Sequence, residues 1–369
     1  MVRVLHYIYG LNIGGAESFL YNLISSIPKD EFVFDFCIQS KKNINERLIK
    51  LIECRGGKIH HIAPYNKRYI KNRNDFKKIV ISGNYKIIHF HMNSLINVEP
   101  IKEGLKLGIQ VVVHSHSTKT NAGKIGNIIH KINVNFFENK KFQRLSCGYE
   151  AGKWFYKKSN FIIIQNGINV NDYKFSEERR TIIRNSLGIT DNIRVIGHVG
   201  RFTYAKNHEF ILDVFNEVCK ITKNIRLVLV GDGELRTEVE KKVLLLGLKE
   251  KVNIIGNVSN VSDYLSAFDL LLFPSHYEGL PFVMIEAQTS GLPILCSDVI
   301  SQDACITDLT ICKSLNEDKK DWATNILNIS MEKQNRPKYA NIIEKTNYNS
   351  VMTARKVINL YYELIGDKQ

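Results

Sequence analysis

Two acids, Glu278 and Glu286, stand with seven residues between them in the run Ser275-His-Tyr-Glu-Gly-Leu-Pro-Phe-Val-Met-Ile-Glu-Ala-Gln-Thr-Ser-Gly-Leu-Pro293. The apolar stretch before them, Asp269-Leu-Leu-Leu-Phe-Pro274, reads as a buried parallel strand. Pro281 is placed to open a helix and Gly291-Leu-Pro293 to close it. Glu278 then falls in the loop beyond a strand's carboxyl end, where open α/β sheets bind ligands, and Glu286 about one turn into the helix. An ionised carboxylate only accepts hydrogen bonds, while amides at a helix N-terminus favour anions. The loop therefore suits a ligand with hydroxyls and negative charge, such as a nucleotide sugar.

Other candidates share this setting. Arg201 and Lys206 lie in one strand-to-helix loop, Gly200-Arg-Phe-Thr-Tyr-Ala-Lys-Asn-His208, where both can reach one anionic group. In Gly10-Leu-Asn-Ile-Gly-Gly-Ala-Glu17, the pair Gly14-Gly15 precedes a helix expected over Ser18–Ile27, so backbone amides can approach an anion there. That spacing is neither a dinucleotide fingerprint nor a P-loop, which argues against a nicotinamide oxidoreductase. Two histidine pairs, His89-Phe-His91 and His114-Ser-His116, end strands of the first half. Alternation puts each pair on one face, as packed core imidazoles or as groups that orient a hydroxyl or move a proton, with His116 favoured. Each pair is also half a metal site, but no cysteine or carboxylate completes it, and no D-x-D pair exists, so no metal or other cofactor is expected.

The elements that must carry these residues alternate as short β-branched runs and helical patterns, the mark of parallel α/β architecture. Strands are expected over 2–9, 33–39, 58–62, 87–91, 111–114, 144–147 and 161–164, then over 194–199, 226–230, 252–255, 270–273, 294–297 and 311–312. At 369 residues two domains are the default. The turn-rich Asn166-Gly-Ile-Asn-Val-Asn-Asp172 is read as the linker, giving domains 1–165 and 166–349. The amphipathic segment 350–369 is expected to pack back on the first.

Hydrophobic content of 44% and charged content of 24% are those of a globular, water-exposed protein. No signal peptide or membrane-spanning run is read, and the seven scattered cysteines are expected to be reduced, which points to the cytoplasm. The net charge of +14 is uneven: residues 1–165 hold 26 Lys and Arg against 11 Asp and Glu, while the remainder is net −1. Cations crowd Lys41–Lys78 and Lys153–Lys158, interleaved with Tyr65, Tyr69, Phe76, Trp154, Phe155 and Tyr156. Such a patch is either a solvated surface or a dock for an anionic membrane leaflet with aromatics at headgroup level. No recognition motif accompanies the charge, so nucleic acid is not expected.

Taken together, Gly14-Gly15-Ala-Glu17, His116, Asn166-Gly-Ile168, Gly200-Arg201 with Lys206, Val230-Gly-Asp-Gly233 and the Glu278/Glu286 segment resemble the family-4 retaining glycosyltransferases of the GT-B fold, over essentially the whole chain. The ending Cys296-Ser-Asp-Val-Ile-Ser-Gln-Asp303 is similar to the EpsF-like branch of capsule and exopolysaccharide synthesis rather than to the commoner glycine-rich version. The resemblance implies two Rossmann-like domains facing across a cleft, the first for the acceptor and the second for a nucleotide-sugar donor. It implies that Gly15, Arg201 and Lys206 hold the donor diphosphate, and that Glu286 takes the ribose hydroxyls. Glu278 and the segment Gly279, Leu280, Pro281, Phe282 would hold the hexose, contacted also by His116, with the base near Asn257 and Val258. The implied activity is metal-independent, retaining transfer from a UDP-type sugar to a lipid-linked saccharide at the inner face of the membrane. A nucleotide-sugar epimerase or hydrolase of the same fold is the alternative.

Overall fold

The computed structural model describes residues 1–12, 15–28, 30–40, 45–117, 123–329 and 333–366. The chain divides into two compact units, Met1–Gly167 with Asn347–Gln369 (unit 1) and Ile168–Thr346 (unit 2).

Unit 1 is built on seven parallel strands: β1 (Val2–Tyr7), β2 (Phe32–Ile38), β3 (Ile59–His61), β4 (Ile87–Met92), β5 (Gln110–Ser115), β6 (Gln143–Ser146) and β7 (Ile162–Ile163). Their spatial order is β3-β2-β1-β4-β5-β6-β7. Unit 2 has six: β8 (Arg194–Val199), β9 (Ile225–Val230), β10 (Val252–Gly256), β11 (Leu270–Phe273), β12 (Ile294–Ser297) and β13 (Thr310–Lys313), ordered β10-β9-β8-β11-β12-β13. Every residue of β2, β4, β11 and β12 is buried, as expected for parallel strands covered on both faces. Strand order reverses between β1 and β4 in one sheet and between β8 and β11 in the other. At such a point the loops leave in opposite directions and open a crevice at the strands' carboxyl ends.

Each expected strand forms, with small differences at the ends. The first stops at Tyr7 instead of Tyr9, because the Tyr9 carbonyl accepts the Gln39 and Ser40 amides outside the ladder. The following helix begins earlier than expected and spans Gly15–Ser26. Glu17 in its first turn reaches back to the Asn12 amide at 3.2 Å, satisfying a donor ahead of the helix.

The last helix, Ser350–Ile365, opens where the Asn349 side chain accepts the Val351 amide. Its Ala354, Val357, Leu360 and Tyr361 share a core with Leu20, Leu23, Phe32 and Phe34, so it packs on unit 1. Each such side chain removed from water contributes roughly 1.5–3 kcal/mol. Gly167 permits this docking, since a Cβ there would stand 2.6 Å from the Ser350 Cα.

One expectation needs correction. Phe76, Phe155 and Tyr156 are buried in the second core of unit 1, and Trp154 packs against that core while stacking on His130 at 4.0 Å. These rings build the interior and are not available to a membrane; of the six aromatics Tyr69 is exposed. Lys41 and Lys42 lie outside the described residues. The cysteines are free thiols, as expected, and the fold brings three of them together: Cys312 Sγ lies 3.5 Å from Cys296 Sγ and 3.9 Å from Cys305 Sγ. Among the described residues no helix is long and apolar enough to cross a membrane.

Candidate functional site

In unit 2 the reversal point brings the loop after β8 against the loop after β11. The 3-10 turn Tyr204–Lys206 follows β8, and Asn207, in the left-handed region at φ 56°, starts the helix His208–Ile221. The Asn207 side-chain Nδ2 donates to the Pro274 carbonyl at 3.1 Å. The His276 amide donates to the Ala205 carbonyl at 2.8 Å, and the His276 ring stacks on Tyr204 at 4.5 Å. These contacts place Lys206 Nζ 2.6 Å from Glu278 Oε1, with both side chains mostly buried and the ammonium 4.7 Å from the Phe273 ring. A short pair in a half-dry crevice is stronger than the same pair in open water.

Arg201 is brought to a different partner. It is largely exposed, with its guanidinium 3.3 Å from Glu234. The Gly-Asp-Gly turn makes this possible. Gly231 adopts φ 135°, and a Cβ there would lie 2.0 Å from the Gly200 carbonyl, so only glycine lets the two loops touch. The Phe202 amide then bonds the Asp232 carbonyl at 3.0 Å.

Beyond Glu278, Gly279 is exposed, Leu280 half-buried and Pro281 buried at the start of the helix Phe282–Thr289. Glu286 sits one turn in, as expected. Burial pushes its carboxyl up to about 7, opposed by a hydrogen bond from Tyr173. Glu286 therefore changes charge near neutral pH, a property invisible in its spacing. Asn257 and Val258 follow β10, the first exposed and the second half-buried.

Unit 1 carries its own candidate. A cavity of about 550 Å³ opens at the carboxyl ends of β1 and β4, lined among others by Tyr7, His91, Asn97, His116, Gly15 and Asn166. Gly15 is the first residue of its helix; Gly14 lies outside the described residues. His116 follows β5, its amide donating to the Met92 carbonyl at 3.1 Å. His6 pairs in register with His89, and His91 with His114, so five imidazoles occupy one face of β1, β4 and β5. His91 bridges two of them, at 2.9 Å to His6 and 3.0 Å to His116, while His89 lies 2.5 Å from the Tyr361 hydroxyl. Burial lowers all five, His6 and His116 to about 3, with neighbouring imidazoles adding to the effect on His89, His91 and His114. At neutral pH His116 is thus an uncharged hydrogen-bonding group and a poor proton acceptor.

The paired histidines gain third members that spacing alone did not show. His6, His89 and His91, and likewise His91, His114 and His116, each offer one ligand atom within 4.8 Å of the others. Nitrogens on a tetrahedral zinc stand ~3.3 Å apart. The 2.9 and 3.0 Å separations around His91 are hydrogen-bond spacings. His6, Tyr173, Tyr204, His276 and Glu234 all belong to these sites and were missed. A β1 histidine in register with the His89 pair was the one available signal.

Two parallel-sheet units with ligand crevices at their reversal points define the GT-B class of fold. Residues 179–347 match the family described as glycosyl transferases group 1. It is similar to glycosyltransferase EpsF of Bacillus subtilis, with 29% identity over 97% of this chain and 96% of that one. It also resembles the capsular polysaccharide biosynthesis glycosyltransferase CapH of Staphylococcus aureus, at 27% identity over 81% and 82% of the two chains. The UDP-Gal:alpha-D-GlcNAc-diphosphoundecaprenol alpha-1,3-galactosyltransferase of Escherichia coli is 25% identical over 79% of each. The crystal structure of Anabaena HepE in complex with UDP and glucose superposes with a TM-score of 0.76 at 17% identity, covering 98% of this chain and all of that one.

Proposed function

We propose that this glycosyltransferase moves a hexose from a UDP-sugar, with retention and without a metal, to a lipid-linked saccharide in surface polysaccharide synthesis. The observation that carries the reading is the Lys206–Glu278 pair at the β8/β11 reversal, with Glu286 one helical turn beyond. In this assignment unit 2 holds the donor. Lys206 and Arg201 take the diphosphate, and Glu286 as carboxylate accepts from the ribose hydroxyls. Glu278 and the Gly279–Phe282 segment hold the hexose, with the base beside Asn257 and Val258. As the sugar–phosphate bond breaks, charge grows on the leaving diphosphate, which fixed cations stabilise with no metal. The departing phosphate takes the acceptor's proton on the same face of the sugar.

Unit 1 offers its cavity, lined in part by His116 and Gly15, to the acceptor. Its excess of cations suits a diphosphate-linked lipid at an anionic, inner membrane surface. The names of the relatives support this: one carries UDP-Gal and a diphosphoundecaprenol acceptor, another capsule biosynthesis, and HepE was crystallised with UDP. Melting curves with UDP-, GDP- and dTDP-sugars test it, because a ligand that binds the folded state raises the midpoint. A rise with a UDP-sugar is expected; no rise with any of them at millimolar concentration removes the reading.

A further inference from the structure

The helix Gly123–Phe137 is apolar on two opposite sides. Gly126, His130, Val134 and Phe137 are buried against unit 1. On the outer side Ile125, Ile128, Ile132 and Phe136 are 74, 58, 62 and 50% exposed, with Ile129 among them. At ~100° per residue these five share an arc ~100° wide, a continuous stripe along the helix. Single exposed apolar residues are ordinary, but a contiguous stripe marks an interaction surface.

Its border is cationic. Residues 123–141 hold Lys124, Lys131, Lys140 and Lys141 against Glu138 alone, and the helix itself has no acid. The ammonium groups of Lys102 and Lys140 lie 5.3 and 5.2 Å from the Phe136 ring. An apolar stripe edged by lysines is the composition of a helix lying in the plane of an anionic bilayer surface. Fifteen residues, ~22 Å of helix, are too few to span one.

The helix's inner edge reaches the cavity. His130 Nδ1 accepts the Leu95 backbone amide at 3.0 Å, and the Asn133 side-chain Nδ2 donates to the Leu95 carbonyl at 2.6 Å. Ser94 and Ile96, on either side of Leu95, line the cavity that also holds His116. We infer that Gly123–Phe137 is an interfacial anchor. It lays its isoleucine stripe into an anionic lipid leaflet and, through Leu95, fixes the cavity wall at the lipid surface. The docking stands on the helix alone; the purpose, presenting a lipid-linked acceptor to the cavity, rests on the function proposed above.

Co-sedimentation with vesicles of equal parts phosphatidylglycerol and phosphatidylcholine tests the anchor. Ile128→Asp with Ile132→Asp is expected to weaken binding at least tenfold, leaving the melting midpoint and its rise with UDP unchanged. Ile125→Asp with Phe136→Asp, on the same stripe, gives an independent second variant should the first fold poorly. Binding equal to wild type in a folded variant overturns the inference. So does loss confined to Lys71→Glu with Lys78→Glu, which would place docking on the helix Tyr69–Gly83. A wild-type dimer that ignores vesicles and becomes monomeric in the Ile128/Ile132 variant also overturns it, making the stripe a contact between copies. Absence of a UDP-induced shift in the wild type would strike the donor reading while leaving the vesicle result decisive.

Discussion

The two units repeat one sheet plan and furnish its reversal point in opposite ways. Unit 1 lines the carboxyl ends of β1, β4 and β5 with imidazoles that burial keeps neutral. Unit 2 places a lysine and a glutamate in contact at 2.6 Å and sets an acid that titrates near 7 behind them. Neutral imidazoles linked to one another hold a fixed pattern of donors and acceptors, which reads hydroxyls. Paired charges read a ligand that itself carries charge, because both partners must be compensated when they part. One fold thus carries two contrasting sets of side chains at a few strand ends.

Acid should separate the units most strongly. An unfolded histidine binds a proton below about 6.5, whereas His6 and His116 in the fold resist until about 3. The unfolded state then holds more protons, so unit 1 loses stability as pH falls from 6.5 towards 3, by roughly 1.4 kcal/mol per pH unit for a fully buried histidine. Trp154 and Trp322, the two tryptophans, lie one in each unit. Unit 2 carries the same kind of group in fewer copies, His198 held well below the ordinary histidine value and His208 lowered to about 4, against five in unit 1. In variants retaining a single tryptophan, the Trp154 emission should therefore change at higher pH than that of Trp322. Coincident transitions would break the contrast.

Next in size is the charged pair. Glu278→Gln or Lys206→Ala should lower the transfer rate by about 10²–10³-fold, the scale of losing one stabiliser of developing charge. Far-ultraviolet dichroism should stay native, and near-normal turnover in both variants would remove the site assignment. A smaller effect attaches to Glu286. In the proposed donor assignment its carboxylate accepts the ribose hydroxyls, so UDP affinity should fall below pH 7, by at most about tenfold per unit. The raised value also means that the fold holds the extra proton between about 4.5 and 7, so Glu286 favours unit 2 as pH drops through that window. Titration calorimetry across pH 5.5–8 checks the affinity, and Glu286→Gln should flatten the profile. The smallest change is expected from chelation: EDTA should leave initial transfer rates within a factor of two, and abolished activity would point to a bound metal.

The sheets were legible because buried parallel strands are continuous apolar runs, and Leu270–Phe273 or Ile294–Ser297 permits little else. The Glu278–Glu286 segment was legible because its turn and helix signals are local. The rest depended on distant pairings. Nothing near His6 says that it meets His91 across 85 residues, nor does Tyr173 announce Glu286. The rings among the lysines were misread because Phe76 or Phe155 faces the core when its helix turns inward, and charge density does not show that turn. The isoleucine stripe escaped for the mirror reason, since a helical apolar period looks the same facing water or core.

The core of unit 1 is closed by residues that follow all of unit 2 along the chain. During synthesis, at ~5–20 residues per second, Tyr361 appears roughly 10–40 s after Gly167. Through that interval Leu20, Leu23, Phe32 and Phe34 lack the helix that covers them, while unit 2, one uninterrupted segment, can finish first. Unit 1 therefore completes its core only when the last helix has been made, and until then its opening strands expose apolar surface.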